Sequence, residues 1–326
     1  MNEPEPARMP LVDLHPSTGN FLDEVRAGLE STPRTLPTKY LYDAKGSVLF
    51  DRITELEEYY PTRTEVSILR ENIDDIVASL ENDPLIVEFG SGNSTKTHLL
   101  LDHLPDAAGY VPVDISRDHL LDAAARLREG YPDLEILPVC ADFTEPIPIP
   151  EPERRPGHRV VFFPGSTIGN FTREGAADFL RTVREDCGDD GGLLLGVDLK
   201  KDPSVLERAY DDSEGVTAAF NLNLLRRINR ELGGTFDLDG FRHRAIWNEE
   251  QSRIEMHLES LREQTVEVAG RRYDFAKGET IHTENSHKYT VESFGEMARA
   301  AGFRQERVWT DPQGRFSVHL YWVDTA

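Results

Sequence analysis

The strongest local signal for chemistry is Leu85-Ile86-Val87-Glu88-Phe89-Gly90-Ser91-Gly92-Asn93-Ser94-Thr95-Lys96, an apolar strand running through a glycine turn into a helix. Glycines let a backbone approach a ligand closely, and the first turn of the helix offers amide hydrogens without helical partners. Phosphates and nucleosides both suit such a turn. A P-loop needs a second glycine directly before its lysine, but Thr95 precedes Lys96. A nicotinamide dinucleotide fingerprint wants a third glycine where the helix packs on the strand, and Ser94 stands near that place.

A nucleoside with a cationic, non-phosphorylated tail, such as S-adenosylmethionine, fits better, because acids fall in order at successive strand ends. Asp114 closes Tyr110-Val111-Pro112-Val113-Asp114, at roughly the separation from the glycine turn where a carboxylate holds ribose hydroxyls. Asp142-Phe143 follows Leu137-Pro138-Val139-Cys140-Ala141, so the carboxylate can accept from an adenine amine while the ring packs on the base. Glu88 faces the methionine end of such a ligand. Any single acid at a strand end is ordinarily a loop residue or a helix cap; the order discriminates. A dinucleotide could use Asp114 but has no special need of Asp142-Phe143. A nicotinamide oxidoreductase and a non-catalytic nucleoside-binding module are the alternatives of another class.

The elements that must position these residues alternate between apolar strands and amphipathic helices from about residue 64 to 200, the pattern of a doubly wound parallel sheet. The expected strands are Leu85–Phe89, Tyr110–Val113, Glu135–Val139, Arg159–Phe163 and Gly192–Val197, with helices over Thr95–His103, His119–Glu129 and Arg173–Asp186. The proline-punctuated run from Glu145 to Pro152 reads as a loop between two units. Residues 201–286 change character: helices over Ser204–Tyr210 and Thr217–Leu232, then strands such as Arg253–Glu259 and Gln264–Val268, an insertion. Thr290 then caps a helix closed by Gly302, and Arg315–Val323 is a last strand. A chain that leaves a sheet domain and returns to it places a cleft near the carboxyl ends of the strands.

Thirty-six Lys and Arg against 59 Asp and Glu leave a formal charge of −23, which repels phosphate backbones and anionic lipid. Neither a nucleic-acid nor a membrane partner is expected. Two cysteines, Cys140 and Cys187, without a CxxC pair or a tight His/Cys cluster, point to a reducing cytoplasm and to no metal site. The N-terminus, Met1-Asn2-Glu3-Pro4-Glu5-Pro6, is acidic where a signal peptide is basic and then apolar. A soluble monomer is the default expectation.

Further motifs stand in order: Lys39-Tyr40-Leu41-Tyr42-Asp43-Ala44-Lys45-Gly46-Ser47, Leu49-Phe50-Asp51, Glu58-Tyr59-Tyr60-Pro61-Thr62-Arg63-Thr64-Glu65, Gly165-Ser166-Thr167-Ile168-Gly169-Asn170, Arg208-Ala209-Tyr210-Asp211-Asp212 and Thr283-Glu284-Asn285-Ser286. With these the chain, from about residue 20 onward, resembles the histidine-specific methyltransferase family. The resemblance implies an α/β fold: a Rossmann-like class I methyltransferase sheet (64–200 and 287–326) and a smaller α+β substrate-binding domain (15–63 and 201–286). It implies S-adenosylmethionine held by Gly90, Lys96, Asp114 and Asp142-Phe143, with Glu88 and Gly165 in the same cofactor set. Residues matching Tyr59, Asn170 and Tyr210 hold the amino-acid backbone in that family, and those matching Glu284 and Ser286 recognise the imidazole. Met256 matches a pocket-lining position in that family, and Tyr42 and Phe50 match residues near the amine.

Methyl transfer from a sulfonium is an in-line displacement in which positioning does most of the catalysis. It needs neither a metal nor an enzyme nucleophile, and the serine of Gly165-Ser166-Thr167-Ile168-Gly169 is one place too early for a nucleophile elbow. The implied reaction adds three methyl groups to the α-amine of L-histidine, with Tyr42, Tyr59 and Asn170 accommodating the growing ammonium. Tryptophan or another small amine is the alternative acceptor, against which an anionic Glu284 argues.

Overall fold

The computed structural model describes residues 11–14, 20–80, 83–90 and 95–325. Ser91, Gly92, Asn93 and Ser94 of the glycine turn, the acidic N-terminal run and residues 15–19 lie outside them.

Strands Pro84–Phe89 and Gly192–Asp198 are buried at every residue, so their apolar runs are covered on both faces. Alternation sorts the side chains: Leu85, Val87 and Phe89 enter one core and Ile86 the other. The large sheet takes the order Val12–Asp13, Val139–Cys140, Gly109–Asp114, Pro84–Phe89, His158–Phe163, Gly192–Asp198, Phe316–Val323, Phe303–Thr310. The first six are parallel and the last two form an antiparallel hairpin against Gly192–Asp198. The expected doubly wound class I sheet is therefore borne out. Helices Thr95–Leu101, Arg117–Gly130 and Arg173–Cys187 cross over between strands. Among the described residues, no helix is long and apolar enough to cross a membrane.

Two expectations are corrected. The strand Glu135–Val139 shrinks to a laddered pair, Val139–Cys140, with one isolated bridge between Tyr110 and Ile136; Pro138 has no N–H for the ladder. The run from Glu145 to Pro152 does not join two units: it connects Val139–Cys140 to His158–Phe163 within one sheet. Its Ile147 and Ile149 are buried, and Asp186 Oδ1 accepts from Ile147 N at 3.1 Å. The terminal helix, Val291–Ala300, is capped as expected: Thr290 Oγ1 accepts from Ser293 N, and Ser293 Oγ accepts from Thr290 N.

A separate core gathers Val25, Leu29, Tyr40 and Leu49 from the N-terminal segment with Leu206, Phe220, Leu224, Met256, Leu258 and Ile281. Its sheet has the order Arg34–Thr35, Thr280–His287, Arg253–Ser260, Phe241–Asn248, backed by helix Val216–Leu232, on which Ala44–Glu55 packs. Helix Tyr60–Glu71 spans the boundary, contributing Tyr60 to this core and Ile68 and Leu69 to the large sheet's.

Candidate active site

The carboxyl ends of the parallel strands bring the expected nucleoside residues together. Gly90 turns out of Pro84–Phe89 at φ +73°, left-handed backbone that glycine adopts without strain. Phe89 and Phe143 stack at 5.5 Å and 10°, and a Cβ at Gly90 would come within 3.9 Å of Phe143. Asp114 and Asp142 each spend Oδ1 on their own loop, Asp114 accepting from Ser116 N at 2.8 Å and Asp142 from Thr144 N at 3.0 Å and Thr144 Oγ1 at 2.6 Å. Each acid thus braces its own loop through one oxygen. Burial raises the Asp114 carboxyl despite the Ser116 bond.

Glu88 lies beneath the strand end, where Oε2 accepts from Thr97 Oγ1 and Tyr110 OH, both at 2.7 Å. Burial pushes it up to about 7 against these bonds and the nearby Lys96. Lys96 and Gly165 meet at a residue that stood in the sequence only as part of a motif. Glu65, 1% exposed, accepts from Lys96 Nζ at 2.5 Å and from Gly165 N at 2.9 Å. This carboxylate ties helix Tyr60–Glu71 to the glycine-turn helix and to the Gly165 turn. Gly196 makes room for it, since a Cβ there would overlap Glu65 Oε1. Gly196→Ala is expected to cost roughly 1–3 kcal/mol by overpacking. A denaturant midpoint that does not move would mean that Glu65 yields freely.

The second group gathers on and around the smaller sheet. Glu284 and Ser286 sit on Thr280–His287, with Met256 directly across the ladder from Glu284. A register shift between His282 and Glu284 re-aims the strand at this point. Asn170 closes the short helix Thr167–Asn170, whose Gly169 packs on the His287 backbone; His287 Nδ1 lies 3.1 Å from Gly169 O. Tyr42, Phe50, Tyr59 and Tyr210 form an aromatic belt: Tyr42 to Phe50 5.5 Å, Phe50 to Tyr59 6.3 Å, Tyr59 to Tyr210 5.9 Å. Tyr42 exposes 39% of its surface. Burial, reinforced by the charge of Glu284 and neighbouring phenols, raises Tyr42, Tyr59 and Tyr210 well above the ordinary phenol range.

The carboxylate of Glu284 is 8% exposed, and its Oε2 has no hydrogen-bond partner among the described residues. Burial pushes it up to about 7, with Lys288 pulling the other way. A polar extended stretch ordinarily holds a solvated carboxylate; here it is a buried acceptor awaiting a donor.

Sequence reasoning missed the polar cluster behind these residues. Asp198, 1% exposed at the end of Gly192–Asp198, accepts from Lys201 Nζ at 2.6 Å, Lys288 Nζ at 2.7 Å and Tyr60 OH at 2.8 Å. Burial alone would raise Asp198, but Lys288 and Lys201 hold it below the usual carboxylate range. Burial lowers Lys201 to about 8. Ser166 is structural: its Oγ accepts from Asp198 N at 2.9 Å. The expected absence of a metal cluster also meets an exception. Glu255, His257 and His282 bring donor atoms within 4.8 Å of one another, although Arg253 and Asn248 already hold Glu255 at 2.6 and 2.9 Å.

Residues 21–323 match the family described as histidine-specific methyltransferase, SAM-dependent. The Histidine N-alpha-methyltransferase of Mycolicibacterium smegmatis is 48% identical over 91% of this chain and 93% of its own length. The protein of that name from Mycobacterium tuberculosis is 44% identical over the same shares. A 4-dimethylallyltryptophan N-methyltransferase from Arthroderma benhamiae is 28% identical over 88% of each.

Proposed function

Because this chain belongs to the histidine-specific, S-adenosylmethionine-dependent methyltransferase family, we propose that it methylates the α-amine of L-histidine three times, giving the betaine hercynine. The observation that carries the acceptor's identity is Glu284: a buried carboxylate with an unpartnered oxygen, two residues from the Ser286 hydroxyl, suits a ring with one donor and one acceptor nitrogen. We assign the nucleoside to Gly90, Lys96, Asp114, Asp142, Phe143, Glu88 and Gly165. The amino acid goes to Tyr59, Asn170, Tyr210, Phe50, Met256, Glu284 and Ser286. The division follows the two lobes, 64–200 with 287–326 and 15–63 with 201–286. The setting is a cytoplasmic monomer acting without a metal, nucleic acid or membrane.

S-Adenosylmethionine supplies an activated carbon on a sulfonium, and the carboxylates of Asp114 and Asp142 suit its ribose and adenine. The chain's own residues then orient the acceptor amine. Tyr59, Tyr210 and Asn170 hold the carboxylate and amine without adding negative charge that would keep the amine protonated. The buried phenols Tyr42 and Tyr59 stay neutral through the working range, so they hydrogen-bond the amine but do not store its proton, which passes to water.

A free α-amine is mostly protonated near neutrality, and only the neutral amine attacks. The single-turnover rate of first methylation is therefore expected to climb as pH rises from 7 toward about 8–9. A flat single-turnover rate across that range would contradict it. The acceptor is tested by incubating the protein with S-adenosylmethionine and each of the twenty amino acids, followed by mass spectrometry. Mono-, di- and trimethylated histidine are expected; methylated tryptophan in their place would favour the alternative acceptor.

A further inference from the structure

Lys288 follows directly on the strand that carries Glu284 and Ser286 and is 0% exposed. Its ammonium donates to Asp198 Oδ2 at 2.7 Å, Ser286 Oγ at 2.8 Å and Tyr210 OH at 2.9 Å. An ammonium has three hydrogens and no lone pair, so both hydroxyl oxygens must accept from it. Ser286 and Tyr210 also bond each other, at 2.7 Å. The Tyr210 oxygen takes a hydrogen from Lys288 and another from the Tyr59 hydroxyl, which fills both of its lone pairs, so Tyr210 donates to Ser286. Both lone pairs of Ser286 Oγ are then filled. Only its hydrogen is left for the crevice.

We propose that Lys288 is a positioning residue that makes Ser286 an obligate donor, so that the site accepts only a neutral imidazole, one ring nitrogen donating to Glu284 and the other accepting from Ser286. This rests on the histidine reading and deepens it. An imidazolium has no lone pair for the Ser286 hydrogen. A protonated Glu284 keeps an acceptor oxygen for the ring N–H but gives up the charge-assisted bond. The first mismatch leaves two donors facing each other in a buried site, where an unpaired polar group is costly, and the second weakens the bond that anchors the ring. Indole, with one donor and no acceptor, leaves Ser286 unpaired.

The charged and titratable groups around Lys288 are few. Asp198 neutralises it, Lys201 shares that carboxylate, and Tyr60 donates to it. Tyr210 and Tyr59 are phenols raised by burial, and Tyr42 lies beside Glu284. Glu284, pushed up to about 7, is the protein group facing the ring that changes charge between pH 6 and 8.

The test counts protons. Histidine is titrated by calorimetry into protein saturated with S-adenosylhomocysteine, at pH 6 and pH 8, in buffers of different ionisation enthalpy. If the bound state carries no proton on Glu284 or the ring, release at pH 6 exceeds that at pH 8 by roughly 1.5 protons, since a free imidazole titrates near 6.5. The α-amine contributes about equally at both. In Lys288→Met no donor remains at this point, so the hydroxyls can accept, an imidazolium fits against Glu284, and release at pH 6 falls by about one proton. S-Adenosylhomocysteine affinity reports whether the variant is folded. An equal count in variant and wild type overturns the proposal, as does a wild-type excess at pH 6 of less than about one proton, which needs no variant at all. Wild-type protein that takes up no histidine at pH 8 would overturn the histidine reading and this inference with it.

Discussion

Replacing Glu284 by alanine is expected to weaken histidine binding by about 10²-fold while leaving S-adenosylhomocysteine affinity within about twofold, since a charge-assisted hydrogen bond contributes roughly 1.5–3 kcal/mol. The physical signature is sharper in Glu284→Gln, which keeps the volume. The folded-state carboxyl sits near 7 because burial penalises the charged form, against an ordinary value of 4.5. The folded protein therefore binds this proton more tightly than the unfolded chain. Stability is undiminished below pH 4.5, falls as pH rises from 4.5 to 7, and the full penalty is present above 7. At pH 8, Glu284→Gln should be more stable than wild type by up to about 3 kcal/mol, and the gain should vanish near pH 4. Denaturant unfolding at the two pH values, beside histidine calorimetry at pH 8, measures both effects. Unchanged histidine affinity in Glu284→Ala would remove this residue from recognition. A constant stability difference across pH would remove the buried-charge explanation.

The second large effect falls on Asp198. It is the common counter-ion of Lys288 and Lys201, both within the protein, and Tyr60 and the Ser166 hydroxyl fix its place. Asp198→Ala leaves two buried cations without their counter-ion, and removing one member of a buried ion pair costs roughly 3–5 kcal/mol. Adding Lys288→Met should restore part of that loss, because it removes the cation with least access to water. The four proteins form a double-mutant cycle read by denaturant unfolding at pH 7.5. A loss under about 1 kcal/mol in Asp198→Ala would mean that the network is incidental to the fold.

The contrast between these two residues shows what the sequence could carry. The strands Leu85–Phe89, Arg159–Phe163 and Gly192–Val197 are legible because a strand covered on both faces must be apolar throughout, and their ends are marked by Gly90, Gly165 and Asp198. Asp114 and Asp142 are legible for the same reason, since a lone acid after an apolar run marks where a strand opens. Thr290 announces its helix through local cap chemistry alone. Glu284 and Ser286 are different: without the family resemblance, a polar stretch such as Thr283-Glu284-Asn285-Ser286 reads as solvated, and only tertiary packing buries it. Lys288 had no signal, because its partners lie 90 residues upstream at Asp198 and 78 upstream at Tyr210. A lysine is buried only when such distant groups converge. Glu65 escaped in the same way, its partners Lys96 and Gly165 being 31 and 100 residues away. The 145–152 loop misled through its prolines, which break secondary structure but do not mark a domain boundary when Ile147 and Ile149 are drawn into a core.

In the proposed complex the nucleoside's reactive carbon on one lobe faces an amine whose imidazole is anchored on the other. A crystal structure with S-adenosylhomocysteine and L-histidine tests it most directly. The adenine is expected beside Phe143, the ring between Glu284 and Ser286, and the α-amine turned toward the donor sulfur. Histidine bound outside that crevice, or its ring turned away from Glu284, would contradict it.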